Sequence, residues 1–522
     1  MKKKKIFTNF SFLLLLMMLF LSACATGNPD SSKNTDDNKK GVTVSFDENI
    51  QTLDPHNGSS GNDISVTNTM YESMYTPDQE GELQPLLAND YEKDEDGLNY
   101  TFKLRDDVKF TDGTVFNAEA VKTNLDRILE SEGSLNSYKS LRDVDKVDVA
   151  DDYEISITLK NPNSQFLQKI GNLRMISPKA LKDDDWDFGK KSAGTGQYVL
   201  KKWNHGESIV VEKNKDYWEK GHPKVNKITF RPVPEDGSRV ASLKTGESDL
   251  IYPVPVNNVD SLKKEDNLDV DVEESTYVNY ATLNTSKKPF DDKKVRQAMN
   301  YAINQDEYIK VVKNGYAKKL DSILPTTNVF YSKQTTYDYD LEKAKQLMKE
   351  AGYEDGFSTE IWGSDSSKDK LGMQFIQQQL KKINIDVDVK QMERGTLSDQ
   401  INNPKSAKDS KVQMWYVGWS STIGDTDNAI NPLFSSTSFP PNGSNTAYYS
   451  NKKVDTLIEG ALHATTEKEA GEKYDEIQKI VFDEAPWLFM GTDEQGTAKN
   501  KNLKGAWRSA DGNLYLRDME WK

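Results

Sequence analysis

The sequence predicts an α/β fold. Short runs of alternating apolar residues recur along the chain, segments with helical apolar spacing lie among them, and neither kind returns at a fixed interval. The N-terminal stretch before Gly41 departs from both patterns and has to be read separately.

Lys2 to Lys5 form a basic patch, Phe12 to Leu21 is a continuous apolar run, and Leu21-Ser22-Ala23-Cys24 follows directly. A basic start, a short apolar core and small residues before a break make a secretory signal peptide, here residues 1–23. The run is shorter than the roughly 20 residues a helix needs to cross a bilayer. Cys24 is the only cysteine in 522 residues, so no intramolecular disulfide is available to it. Leu-Ser-Ala-Cys resembles a bacterial lipobox, which implies that Cys24 is lipidated and becomes the first residue of the mature protein. Residues 24–40 are rich in Asn, Asp, Ser, Lys and Gly, lack apolar periodicity, and read as a flexible tether. The expected location is the extracellular face of the cell membrane.

About 480 residues follow, more than one hydrophobic core normally serves, so two or three domains are expected. With 83 acidic against 68 basic residues the net charge is −15, which disfavours nucleic acid as a partner. No later apolar run approaches membrane-spanning length. Nine Trp and 23 Tyr offer walls for a ligand as well as core filling.

The elements follow in order. Val42, Val44 and Phe46 alternate as a strand, and a loop runs from Leu53 to Gly61. The next helix is expected to end near Tyr71–Tyr75. Tyr100–Leu104 is a strand, Asp112-Gly113-Thr114 a tight turn, and Asn117 caps a helix carrying Ala118, Val121, Leu125 and Ile128. Two strands fill Val147–Leu159. A crossing between domains is expected at Gly194–Tyr198 and another near Tyr280–Phe290. Ser238 begins a short helix closing at Gly246. Helical spacing returns at Lys294–Ile303, Leu341–Ala351 and Leu371–Leu380, with strands at Ile385–Val389 and Val412–Val417.

Catalysis finds little support. A hydrolase needs a nucleophile beside a base, such as a Gly-x-Ser-x-Gly elbow, and Gly58-Ser59-Ser60-Gly61 lacks that spacing. The four histidines, His56, His205, His222 and His463, are scattered and have no thiol beside them, so neither structural zinc nor any other cofactor is expected.

Pro289-Phe290-Asp291-Asp292-Lys293-Lys294-Val295-Arg296-Gln297-Ala298-Met299-Asn300-Tyr301-Ala302-Ile303 resembles the signature of the family 5 extracellular solute-binding proteins. Leu104–Gly113, Gly194–Tyr198, Asn214–Trp218 and Leu341–Gly356 match in family order. Tyr416–Ser420, Ser438–Pro441 and Asn445–Tyr449 resemble the glutathione-binding branch. The resemblance implies a two-lobed, periplasmic-binding-protein-like clamp (type II, cluster C) with an extra domain. Lobe I would comprise 41–78, 192–288 and 497–522, the extra domain 79–191, and lobe II 289–496. It further implies a monomeric binding lipoprotein that delivers glutathione or a similar short peptide to an ABC permease, closing about a hinge. General oligopeptides, or a nickel chelate touching His56, are the alternative cargoes; an adhesin or pheromone receptor without import is a third reading.

A binding protein needs enclosure and a few fixed polar groups. Trp415–Asn428 compresses Trp419, Ser420, Thr422, Asp425 and Asp427 into the end of a strand and its loop. In dipeptide-binding relatives an Asp of this loop pairs with the ligand's α-amine; the resemblance puts Thr422 there, which argues against ordinary α-peptides unless Asp425 or Asp427 substitutes. Arg394, expected after a strand and facing a Gly-containing loop, can grip a carboxylate through two parallel hydrogen bonds. Arg174 is a charge among apolar residues. Asn57, Ser59 and Ser60 offer polar groups at a lobe edge, and Tyr280, Trp362 and Trp419 can wall a pocket. Each has a structural alternative: turn, surface ion pair or core.

Overall fold

Val42, Val44 and Phe46 are buried in a strand, Gly41–Phe46, whose alternation already separated them from their neighbours. The computed structural model describes residues 41–522 except Ser59; Cys24, the tether and Ser59 therefore fall outside the described residues. Among the described residues this strand joins an 11-stranded mixed sheet. The order is Ile385–Met392, Phe357–Ser364, Met414–Ser420, Leu268–Leu283, Trp487–Asn500, Leu250–Val254, Gly41–Phe46, Lys227–Pro232, Ser208–Lys213 and Tyr198–Asn204, with Ala317–Lys318 branching from Trp487–Asn500.

Two of these strands are long, 16 and 14 residues. They pair antiparallel from Leu268 opposite Asn500 to Thr282 opposite Trp487, with register breaks between Glu274 and Val278 and between Asn279 and Tyr280. Before the first break, Trp487–Asn500 is flanked by Leu250–Val254. Beyond it, Tyr277–Leu283 pairs with Met414–Ser420. Distinct cores lie on the two sides. Val44, Ile228 and Leu250 belong to one; Ala281, Met299, Ile361 and Met414 belong to another. The architecture is a two-lobed clamp joined by this strand pair.

A separate four-stranded antiparallel sheet, Ala88–Lys93, Asn99–Leu104, Glu154–Leu159 and Val144–Asp151, forms the extra domain. Helix Ala118–Glu130 packs on it; Asn117 caps the helix by accepting from Ala120 N at 3.0 Å, and Val121, Leu125 and Ile128 are buried. Its core takes side chains from Met74 to Met175, whereas Ile176 and Ala180 already belong to the first lobe.

One expected helix is shorter than its spacing implied. It ends at Thr67, not near Tyr75. The backbone beyond it bonds across the fold instead: Tyr198 N donates to Thr69 O and Gly196 N to Met70 O, each at 3.0 Å. A Cβ on Gly194 would lie 2.1 Å from Met70 O, so the approach requires glycine. Tertiary pairing outweighs helical spacing here.

The family-like motifs converge on packing. Glu72, fully enclosed, accepts from Thr195 Oγ1 at 2.9 Å, Tyr217 Oη at 2.6 Å and Trp218 Nε1 at 2.9 Å, with the Arg517 guanidinium 3.7 Å away. Burial pushes its carboxyl upward, while Arg517 and the three donors hold it down. Three segments remote in sequence thus meet on one carboxylate. In the second lobe, Arg296 donates to Phe290 O and Glu484 O, and Asn300 bonds the backbone of Trp487 and Phe489, docking helix Lys293–Ala302 on the sheet. Replacing Glu72 with Ala strands those donors and is expected to lower stability by about 3–5 kcal/mol; urea unfolding checks this, and a loss under about 1 kcal/mol would show the network to be dispensable.

Candidate functional site

The loop after the first strand is fastened to the extra domain. Asp54 takes two hydrogen bonds from Arg127, at 2.6 and 3.1 Å. The buried His56 ring bonds Arg127 NH1 through Nδ1 and Arg174 O through Nε2, both at 2.8 Å. Because Arg127 can only donate, Nδ1 accepts and the proton sits on Nε2; both nitrogens are occupied. Asn57 is exposed, and its carbonyl accepts from Asn136 Nδ2 at 2.7 Å. Ser60 caps helix Gly61–Thr67 and forms a capping box with Asp63.

The second lobe offers the loop that follows Met414–Ser420. Thr276 Oγ1, at the register break, meets Ser420 Oγ at 2.9 Å and donates to Ser421 O at 2.7 Å. The Tyr277 ring lies so close over Gly418 that a Cβ there would fall 2.2 Å from it. Trp419 is half-buried and donates from Nε1 to Asn428 O at 3.2 Å; Thr422 is exposed. Ile423 N then donates to Asp511 Oδ2 at 3.2 Å. Asp511 sits in the turn between short strands Trp507–Arg508 and Leu514–Tyr515, where Asn513 Nδ2 also bonds it at 3.0 Å. The same turn abuts Gly61, whose Cβ position is 3.2 Å from Gly512 O.

Four regions distant in sequence therefore converge: the Asn57–Gly61 loop, the register break, the Ser420–Ile423 loop and the Ser509–Asn513 turn. Thr276, Tyr277 and Asp511 escaped the sequence reading. An acidic residue in a polar C-terminal turn carries no periodic signal, and only pairing across the lobes gives it a neighbourhood.

Asp425 and Asp427 do not face an open cleft. Lys169 Nζ lies 3.7 Å from Asp425 Oδ2 and 3.8 Å from Asp427 Oδ2, and Arg142 is 3.6 Å from Asp427. Asp425 also caps helix Thr426–Phe434. Burial pushes the Asp425 carboxyl upward against the pull of Lys169.

Arg174 borders a cavity of about 400 Å³, within the range of small-molecule sites, which Gln197, Tyr198, Trp507 and Tyr515 help to line. Its Nε donates to Asn68 Oδ1 and its NH1 reaches Asn172 O at 3.4 Å. Among the described residues no carboxylate comes within 4.0 Å of it; burial depresses its pKa, against the opposing influence of Tyr515 and Asp511. Among the described residues neither polar end of the buried Gln197 amide has a hydrogen-bond partner, nor does the Tyr198 hydroxyl. Trp507 and Tyr515 stack at 4.3 Å beside them.

The remaining expected residues lie apart. Tyr280 is buried and stacked on Trp487, with centroids 3.7 Å apart. Trp362 is buried among Leu397, Ile401 and Val412. Arg394 is exposed and opens helix Arg394–Asn402 rather than facing a loop; Glu393 caps that helix by accepting from Gly395 N and Thr396 N, so its carboxylate serves the backbone.

Residues 82–441 match the model of the bacterial extracellular solute-binding proteins, family 5 Middle. The chain belongs to that family. It is 38% identical over 486 residues to the glutathione-binding protein GsiB of Salmonella typhi, covering 92% of this chain and 95% of that one. Among solved structures, the DppA binding protein of Helicobacter pylori in complex with peptide STSA is 28% identical, with a TM-score of 0.75 and coverage of 92% and 98%. A dipeptide-binding protein of Pseudoalteromonas sp. SM9913 in complex with Met-Leu is 25% identical, with a TM-score of 0.77 and coverage of 92% and 100%.

Burial, with help from Arg127, pushes the His56 imidazole from 6.5 down to about 4. A depressed histidine contributes stability that is complete above its unfolded pKa and is lost as pH falls through the folded one. Melting curves should therefore show wild-type stability declining from pH 6.5 to about 4, and His56→Gln flattening that decline. Parallel curves for the two proteins would refute the role of His56.

Proposed function

We propose that this chain is the substrate-binding lipoprotein of an ABC importer. It is anchored through Cys24 to the outer face of the cell membrane and captures glutathione or a similar short peptide by closing its lobes. The observation that carries the reading is Arg174. A half-buried guanidinium with no carboxylate within 4.0 Å among the described residues is stabilised by an anion that completes it, and this one faces a cavity with an unbonded amide and hydroxyl. A ligand carboxylate fits that demand in charge and in planar, two-pronged geometry.

We assign the counter-charge for an ammonium to Asp511 rather than to the carboxylates of the Thr422 loop. Thr422 is neutral, and Asp425 and Asp427 are engaged by Lys169 and Arg142. Asp511 takes hydrogen bonds from Ile423 N of the Thr422 loop, Ser509 Oγ and Asn513 Nδ2, and is electrostatically coupled to Arg174. A guanidinium and a carboxylate so disposed suit an α-amino-acid head group with both charges on one carbon, as in the γ-linked Glu of glutathione. Ser60 and Asn57 lie on the loop that would rim the ligand.

Calorimetry with reduced glutathione should give micromolar or tighter binding, and Arg174→Met should weaken it about 100-fold, as expected for truncating one partner of a buried charge pair. Unchanged affinity in that variant removes Arg174 from the site. Tight binding of ordinary tripeptides with none of glutathione would transfer the role to general peptide import.

A further inference from the structure

The extra domain meets the second lobe beside the proposed ligand loop. Ser164 N donates to Leu462 O at 2.8 Å and its Oγ to Ala461 O at 2.9 Å. Thr426 N donates to Gln165 Oε1 at 3.1 Å, and Lys93 Nζ to Thr465 O at 3.1 Å. Between these bonds Lys169, with its side chain 9% exposed, sits almost equally far from Asp425 and Asp427. Arg142 adds a second cation on the Asp427 side. The opposite face of the extra domain is fixed to the first lobe through Arg127, Asp54 and His56.

We propose that Lys169 and Arg142 are positioning residues that latch the Ser420–Asp427 loop in its closed-lobe place, so that the extra domain governs how long a ligand is held. This rests on the binding reading above and is independent of which peptide is bound.

The physical case concerns what opening does to the charges. Two neighbouring carboxylates enclosed together repel each other and lose hydration, and a shared ammonium makes that arrangement tolerable. If the lobes part at the register break, Asp425 and Asp427 separate from Lys169 and return to water, where an unpaired carboxylate carries no penalty. Removing the cation thus disfavours the closed form while leaving each lobe folded. Asp425 also caps the helix that starts at Thr426, so the pull of Lys169 is passed to the backbone of the loop carrying Ser420 and Thr422. Gly424, at φ +76°, leaves room for Gln168 of the extra domain, whose amide carbon would lie 2.8 Å from a Cβ there; no side chain stands between the two surfaces.

Small-angle scattering reads closure directly, with and without reduced glutathione. Lys169→Met should shift the protein toward the open form, with a larger radius of gyration than wild type. It should also raise the glutathione dissociation rate at least tenfold, while Lys169→Arg stays close to wild type. The melting temperature without ligand should be the same in all three. Failure of glutathione to close the wild type removes the cargo reading and leaves the ligand-free scattering comparison to judge the latch. Equal radii for wild type and Lys169→Met overturn it. So does a ligand-free melting temperature lowered in Lys169→Met, which would make the cluster an ordinary brace within one rigid body.

Discussion

The two lobes of this protein share one sheet through the antiparallel pairing of Leu268–Leu283 with Trp487–Asn500. A continuous ladder would make the sheet one stiff body, since each backbone group is committed to its neighbour. The register breaks between Glu274 and Val278, and those few residues can absorb rotation while the ladders on either side stay intact. Side-chain bonds keep the break ordered: Ser275 Oγ donates to Asp493 O at 2.8 Å, Asn279 Nδ2 to Asp493 Oδ1 at 2.7 Å, and Lys313 pairs with the same carboxylate at 2.7 Å. Thr276 extends this set to Ser420 and Ser421. The register break and the Ser420–Ser421 loop are therefore one hydrogen-bonded unit.

The buried cations separate structure from function by how they are satisfied. Arg239, 1% exposed, donates to Val233 O and Pro253 O and pairs with Asp236. Arg296 is bonded to carbonyls in the same manner. Both complete their valences within the chain and serve as internal staples. Arg174 does not, although it is also surrounded by protein. Lys169 is satisfied by two carboxylates from a segment far away in sequence, Asp425 and Asp427. The same electrostatic rule, that a desolvated charge needs an opposite one, applies to all of them, and they differ in where the partner comes from.

The periodic elements were legible along the chain because local chemistry decides them. Asn117 caps, Gly246 and Gly352 take left-handed φ values of +76° and +81° at helix ends, and Val42, Val44 and Phe46 alternate into a core. The helix expected to continue to Tyr75 failed where Gly194 and Gly196 bring a remote segment against Thr69 and Met70. The candidate site was legible in part. Arg174 stood out as a charge among apolar residues and does border a cavity. Tyr280 and Trp362 looked like ligand walls and are core, because aromatic residues on a strand give the same signal whichever face they line.

By itself the sequence determined the class of fold, the positions of most helices and strands, the family motifs and the lone cysteine behind a signal-like leader, all of which rest on neighbours within a few residues. Only the tertiary structure decided that Asp425 and Asp427 belong to Lys169 and Arg142, that Asp511 meets the Thr422 loop, and that Arg174 has no carboxylate within reach among the described residues. The reason is physical: whether a charge is free for a ligand depends on what lies within a few ångströms of it, and those neighbours come from segments hundreds of residues away.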